Sequence, residues 1–284
     1  FGRHTTSPLN GMCACRQHSG DVVYDQGDAT RPVERAHDWL DLTVRSEGVT
    51  CASCHVRDGM VVARQDNRSA PHPMATSPDL ASVGACASCH QLTLPNAETA
   101  LYDTVGEWQQ SPWATAGIGC VDCHMGGAAD GGLDHALPGH AGNGLSVLAH
   151  LDAPEVVRGG DPVVLRLVLQ NTGGGHALPT GSPFVGWAVN AWIEGPPRGR
   201  DSDPDKRSDN TVMLARTLGE APDYPVLDDT RLAPFEERVL EWPISLDIEA
   251  EQGDWYIVVE VRQTTGDQPA PEPRRSWRFP ITVR

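Results

Sequence analysis

Three segments of this 284-residue chain set two cysteines three positions apart, with a histidine directly after the second. They are Cys51-Ala-Ser-Cys54-His55, Cys86-Ala-Ser-Cys89-His90 and Cys120-Val-Asp-Cys123-His124. This is the pattern that attaches haem c. Two thiols add across the two vinyl groups of the porphyrin, and the next histidine becomes the proximal ligand of the iron. Zinc sites also use cysteines at this spacing, but they do not need a histidine immediately after the second one. Three copies of the full triplet therefore read as three haems.

The other two of the 8 cysteines form an irregular fourth pair, Cys13-Ala-Cys15-Arg-Gln-His18. Here the second cysteine and the histidine are not adjacent, so ring attachment and iron ligation would need a different local turn. Three readings stay open: a fourth haem with His18 as ligand, a strained Cys13–Cys15 disulfide, and free thiols. The first fits a chain whose remaining cysteines all match a haem pattern, and gives an expected total of four haems c.

Four irons take up to eight axial ligands, and the chain has 11 histidines. With His18, His55, His90 and His124 as proximal ligands, His4, His37, His72, His135, His140, His150 and His176 remain. Ligation by two histidines gives low-spin, low-potential iron suited to electron transfer, whereas methionine raises the potential. His37 and His72 each precede a haem motif by 14 residues. His135 and His140 bracket the rigid turn Ala-Leu-Pro-Gly. His176 follows three glycines that allow close approach of backbone to a flat cofactor. His4 lies in a terminal arm and could serve its own haem or a neighbour's. Each of these is also an ordinary surface histidine in the bland reading. His150 is placed at the junction between the two halves.

Two compositional regimes must hold these residues. Residues 1–150 carry every cysteine and are rich in Gly and Pro. Sustained periodicity is scarce there, with helical hints only at Val33 to Val44 and Ala97 to Gln110. Such a segment buries too little apolar area to fold alone and needs a covalent or metallic staple. Residues 151–284 alternate instead. Val163, Leu165, Leu167 and Leu169 interleave with Val164, Arg166, Val168 and Gln170, the period of a half-buried strand. Similar runs follow at Val185 to Glu194, Thr211 to Leu218, Arg238 to Leu246, Trp255 to Gln263 and Trp277 to Arg284. About seven short strands between turn-rich stretches suggest an antiparallel sandwich of immunoglobulin type. The charged stretch Gly199 to Asn210 reads as an exposed loop. The expected fold is thus a mostly irregular, partly α-helical multihaem domain followed by an all-β sandwich.

The formal charge of −16 excludes nucleic acid and anionic lipid as natural partners. It suits an exported protein, or one that docks on a basic patch. No stretch approaches the ~20 apolar residues of a membrane span. The start, Phe-Gly-Arg-His, lacks a basic-then-apolar signal, as expected of a mature form.

Several of these segments resemble multihaem c-type cytochromes of the cytochrome c-554 type. The likeness lies in His37…Gly48-Val49-Thr50-Cys51-Ala-Ser-Cys54-His55 and in Glu107-Trp108…Gly117-Ile118-Gly119-Cys120-Val-Asp-Cys123-His124-Met125. The segment His135-Ala-Leu-Pro-Gly-His140 is similar to a turn that supplies distal ligands in that family. Asn171-Thr-Gly-Gly-Gly-His176-Ala-Leu-Pro179-Thr180-Gly181 is similar to a signature of exported multihaem cytochromes that carry a β-sandwich. The resemblance implies bis-histidine haems in close-packed pairs. Some such proteins polymerise into extracellular haem filaments, where a ligand can come from the adjacent subunit.

Three functions are weighed. The first is an electron carrier or conduit, periplasmic or extracellular, serving redox partner proteins. The second is a multihaem oxidoreductase with one open iron, acting on a small nitrogen or sulfur compound. The third is a homo-oligomer, the repeating subunit of a filament.

Overall fold

A computed structural model of the chain describes residues 49–65, 69–95, 97–127, 132–137, 147–195, 211–246, 249–266 and 268–284. Cys13, Cys15, His4, His18, His37 and His140 lie outside the described residues, as do the helical hint at Val33 to Val44 and the charged segment 199–210.

Among the described residues up to 137 the elements are short. In order they are α1 (Cys51–His55), β1 (Val56–Arg57), β2 (Met60–Ala63), β3 (Met74–Thr76), a 3-10 turn (Pro78–Ala81), α2 (Val83–His90), β4 (Gln91–Leu92), β5 (Tyr102–Asp103), α3 (Thr104–Gln109), α4 (Pro112–Thr115) and α5 (Cys120–His124). Each haem motif is a helical turn, so its two cysteines, at i and i+3, share a face. The first and third turns are closed by their own sequence. Thr50 N–H donates to Ser53 Oγ (3.1 Å) and Gly119 N–H to Asp122 Oδ2 (2.7 Å), each satisfying an orphan donor at the start of the turn.

The helix expected over Ala97 to Gln110 is confined to α3. Leu101 is buried against Leu92, and β5 pairs with β4 in the register Gln91↔Asp103 and Leu92↔Tyr102. That pairing holds the chain extended up to Asp103. The Gln91 Oε1 oxygen then accepts from both Val105 N–H and Gly106 N–H at 3.1 Å, capping α3 from outside.

The remaining strands are β6 (Val147–Asp152), β7 (Val156–Val157), β8 (Pro162–Asn171), β9 (Val185–Glu194), β10 (Val212–Leu214), β11 (Arg216–Leu218), β12 (Val226–Asp229), β13 (Glu237–Ser245), β14 (Gly253–Thr265), β15 (Gln268–Pro269) and β16 (Arg275–Val283). All but β11 and β12, which pair with each other, form a two-sheet β-sandwich. One sheet runs β10-β9-β14-β16-β7, with β15 paired to β14, and the other runs β13-β8-β6. All pairings within these two sheets are antiparallel except β16 with β7.

The alternation read from the sequence sets the inner faces. Leu165, Leu167 and Leu169 of β8 meet Trp187, Val189 and Ala191 of β9 and Ile257, Val259 and Val261 of β14 in one core. Val164 and Arg166 point outward. Burying side chains of this size gives about 1.5–3 kcal/mol each. The run Thr211 to Leu218 divides at Ala215, because Thr230 intervenes. Ala215 N–H donates to the Thr230 hydroxyl (3.0 Å), and Thr230 N–H donates to Ala215 O (2.9 Å). So β10 joins β9, while β11 pairs with β12. Before Val147, the buried hydrophobics among the described residues are only Val62, Leu92, Leu101 and Val105. No helix among the described residues is long and apolar enough to cross a membrane.

Candidate functional site

The first motif is set by a turn. After α1 the chain reverses at Asp58-Gly59, both with positive φ, and pairs Val56↔Val61 and Arg57↔Met60. A two-residue hairpin loop of this composition is the strongest short-range hairpin signal in a sequence. The reversal returns Val62 O to within 2.8 Å of His55 Nδ1. With Nδ1–H donating to that carbonyl, His55 Nε2 is the nitrogen free to bind a metal. His135 faces His55, with ring centroids 6.1 Å apart and planes tilted by 38°.

His124, closing the third motif, faces His176 in the same way. Their centroids are 6.0 Å apart and their planes lie within 17° of parallel. His176 Nδ1 contacts Ala177 O at 2.9 Å, so its Nε2 is likewise free. Burial pushes the His176 pKa down, which favours the neutral, ligating form.

These separations have a simple arithmetic. A metal–imidazole bond is about 2.0 Å, and the bonded nitrogen lies about 1.1 Å from its ring centre, so two imidazoles on one iron hold their centroids about 6.2 Å apart. Both pairs are at that spacing, and both have a ring fixed by a carbonyl on Nδ1. By spacing, each pair could hold one haem iron between its rings.

The loop that carries His176 is tightly built. Asn171, fully buried, donates through Nδ2 to His176 O (3.1 Å) and Ala233 O (3.0 Å), and its Oδ1 accepts from Gly174 N–H (3.0 Å). A Cβ on Gly174 would come within 2.7 Å of Asn171 Oδ1. A Cβ on Gly175 would meet Trp108 Cδ1 and Trp113 Cδ1, each at 3.2 Å. These glycines serve close packing onto Asn171 and two tryptophans, where the sequence suggested close approach to a cofactor. The next turn is held by α3. Glu107 Oε2 accepts from Ala177 N–H (3.1 Å) and from the Thr180 hydroxyl (2.7 Å). Arg231 Nη1 lies 2.7 Å from Glu107 Oε1, and both side chains are at least nine-tenths buried. Arg231 also grips Asp229 through Nη2 at 2.7 Å.

The second motif adjoins the third. Burial lowers the His90 pKa, with further lowering from His124 and His176. His90 nevertheless keeps an exposed surface. The Cys86 thiol hydrogen-bonds to Cys120. That bond raises the Cys86 pKa, helped by burial and by Cys120, Cys54 and Cys89, and brings Cys120 down to about 7. The second and third motifs thus meet through their first cysteines.

Other candidates are not gathered in. His72 is exposed, with Nδ1 3.4 Å from Pro73 O. His150 stands on the exposed face of β6, opposite Val168. Among the described residues no group of three or more His, Cys, Asp or Glu side chains is arranged to hold a bare metal ion. Sequence reasoning missed three contributors. Asp58-Gly59 was legible as a turn, but Glu107 and Arg231 carry no signal in spacing, because their contacts join residues far apart in the chain.

No protein-family model matches the chain, and no curated protein matches it. Solved structures share parts of it. A CARDB domain from Pyrococcus furiosus is 15% identical, over 49% of this chain and 87% of that one, with a TM-score of 0.28. Native alpha-2-macroglobulin from Escherichia coli is 18% identical, over 51% of this chain and 17% of that one, also at 0.28. A beta-glucosidase from Listeria innocua is 11% identical, over 48% of this chain and 16% of that one, at 0.26. Likenesses at such TM-scores decide nothing about this chain.

Proposed function

We propose that this chain is a multihaem c-type cytochrome that carries electrons outside the cytoplasm. The observation that carries the reading is the pair of facing histidines, His55 with His135 and His124 with His176, each at the spacing of two imidazoles on one iron. Cys51 and Cys54, Cys86 and Cys89, and Cys120 and Cys123 would hold three haems c, and Cys13 and Cys15 with His18 a fourth. Bound haem supplies a low-spin iron that changes oxidation state without taking substrate.

The residues of this chain do the rest. Val62 O and Ala177 O orient their histidines and leave Nε2 as the nitrogen that would bind an iron. The hydrogen bond between Cys86 and Cys120 would bring the ring edges of the second and third haems near one another. Among the described residues before Val147, the scarcity of buried apolar side chains suits a domain over 1–150 whose core is porphyrin. The sandwich over 151–284 contributes the loop that presents His176.

The test is direct. The protein is made in a host that attaches haem c, its mass is measured, and its electron paramagnetic resonance is integrated against total haem. Four covalent haems, all low-spin, are expected. A chain that takes up no covalent haem overturns the proposal. A substantial high-spin fraction moves it to the oxidoreductase with an open iron. Electron microscopy of native material reports on the filament, through uniform fibres or dispersed particles.

A further inference from the structure

Two adjacent residues of α3 hold opposite sides of the His124–His176 pair. Glu107 binds the turn directly after His176, through Ala177 N–H and the Thr180 hydroxyl. Trp108 donates from Nε1 to Ile118 O at 2.9 Å, two residues before Cys120 of the third motif. The same indole packs against Gly175, whose added Cβ would meet it at 3.2 Å. Arg231 locks Glu107 from the sandwich side, and the pair is sealed from solvent at 8% and 10% side-chain exposure. Thr104, at the start of α3, adds a hydroxyl contact to Thr180 at 2.9 Å.

We infer that α3 is a spacer, with Glu107 and Trp108 as positioning residues that set the gap and relative plane of the two axial histidines. The inference rests on the haem reading of this site. Neither residue touches the iron. Each acts through a backbone segment, Glu107 through residues 177–180 and Trp108 through residue 118. Two jaws on one rigid turn keep the imidazole planes near parallel, at 17°. The buried pair fixes Glu107 in place, and Asp229 still partners Arg231 when the Glu107 charge alone is removed.

Near-parallel imidazoles on ferric haem give a rhombic low-spin resonance, and twisted planes give a single large-g feature. The inference is therefore read from one haem among several. The haem-loaded full chain is compared as wild type, His176→Ala, Glu107→Ala, Glu107→Gln and Trp108→Phe. His176→Ala should convert one haem to high spin. Glu107→Ala should remove the rhombic signal of that same haem, to high-spin or large-g form, while the others keep theirs. Glu107→Gln keeps an oxygen able to accept both bonds, so it should retain the low-spin signal. Its midpoint potential should rise, because a negative charge near the iron is removed. Trp108→Phe is the milder variant if Glu107→Ala fails to fold, and it should shift the g values of that haem alone. If His176→Ala changes one haem and both Glu107→Ala and Trp108→Phe leave it untouched, the spacer inference falls and the haem reading stands. If His176→Ala itself changes nothing, His176 is not a ligand, and both fall together.

Discussion

His55 and His176 each commit Nδ1 to a backbone carbonyl before any metal is considered. This fixes the tautomer and ring orientation, so the ligating nitrogen is presented without a search. His135 has no such constraint among its described contacts, and it is exposed. Replacing His135 by Ala should turn one haem high-spin, seen in the visible and resonance spectra, and should leave the His176 haem unchanged. A fully low-spin spectrum in that variant would assign the ligand elsewhere. Asp229 shows the other residue-scale control. Burial pushes its carboxyl up, but the hydrogen bonds and charge of Arg231 overcome this, and it titrates below its ordinary value. The folded state therefore holds this proton less tightly than the unfolded state. Stability from the pair is complete above the ordinary aspartate value of about 3.9 and is lost as pH falls below it. Acid unfolding followed by tryptophan fluorescence should show that loss below about pH 4, and Asp229→Asn should remove it.

At the scale of elements, the sandwich was legible because half-buried strands write their inner face into alternate residues. The run Val163, Leu165, Leu167, Leu169 marks β8, and all four side chains are buried. Leu167→Ala should cost about 2–5 kcal/mol in denaturant unfolding, with m unchanged. The division of Thr211 to Leu218 was not legible, because it depends on Thr230, which meets Ala215 only in three dimensions. The helix over Ala97 to Gln110 was overextended for a similar reason. Its local propensity yields to Leu101, which is buried against Leu92. What starts α3 is a side chain from outside it. Gln91→Ala should cost about 1 kcal/mol, the usual loss of a helix cap. Circular dichroism and thermal melts would register it, and an unchanged melting temperature would deny Gln91 that role. The helical turns of the first and third Cys-x-x-Cys-His motifs follow from Ser53 and Asp122 reaching back to the preceding N–H. The facing of His55 by His135 and of His124 by His176 was not legible, since the partners lie 80 and 52 residues apart.

For the whole molecule, charge governs encounter. The chain carries a formal −16 at neutral pH. A surface so acidic draws cations and repels anions over roughly a Debye length, about 8 Å at 0.15 M salt. If the haems pass electrons to soluble partners, the rate at low salt must depend on the partner's sign. Stopped-flow oxidation of the reduced holoprotein by a small cationic oxidant should slow as salt is added, because attraction is screened. Oxidation by an anionic oxidant of similar potential should accelerate, because repulsion is screened. Opposite salt slopes would show that the acidic surface lies within screening range of the exit haem, and would point to a basic docking face on the natural partner. Equal slopes for the two oxidants would mean that electrons leave where the acidic residues do not reach. The charge would then serve to keep the protein dispersed, and partner choice would have to be sought in the shape of the exit site.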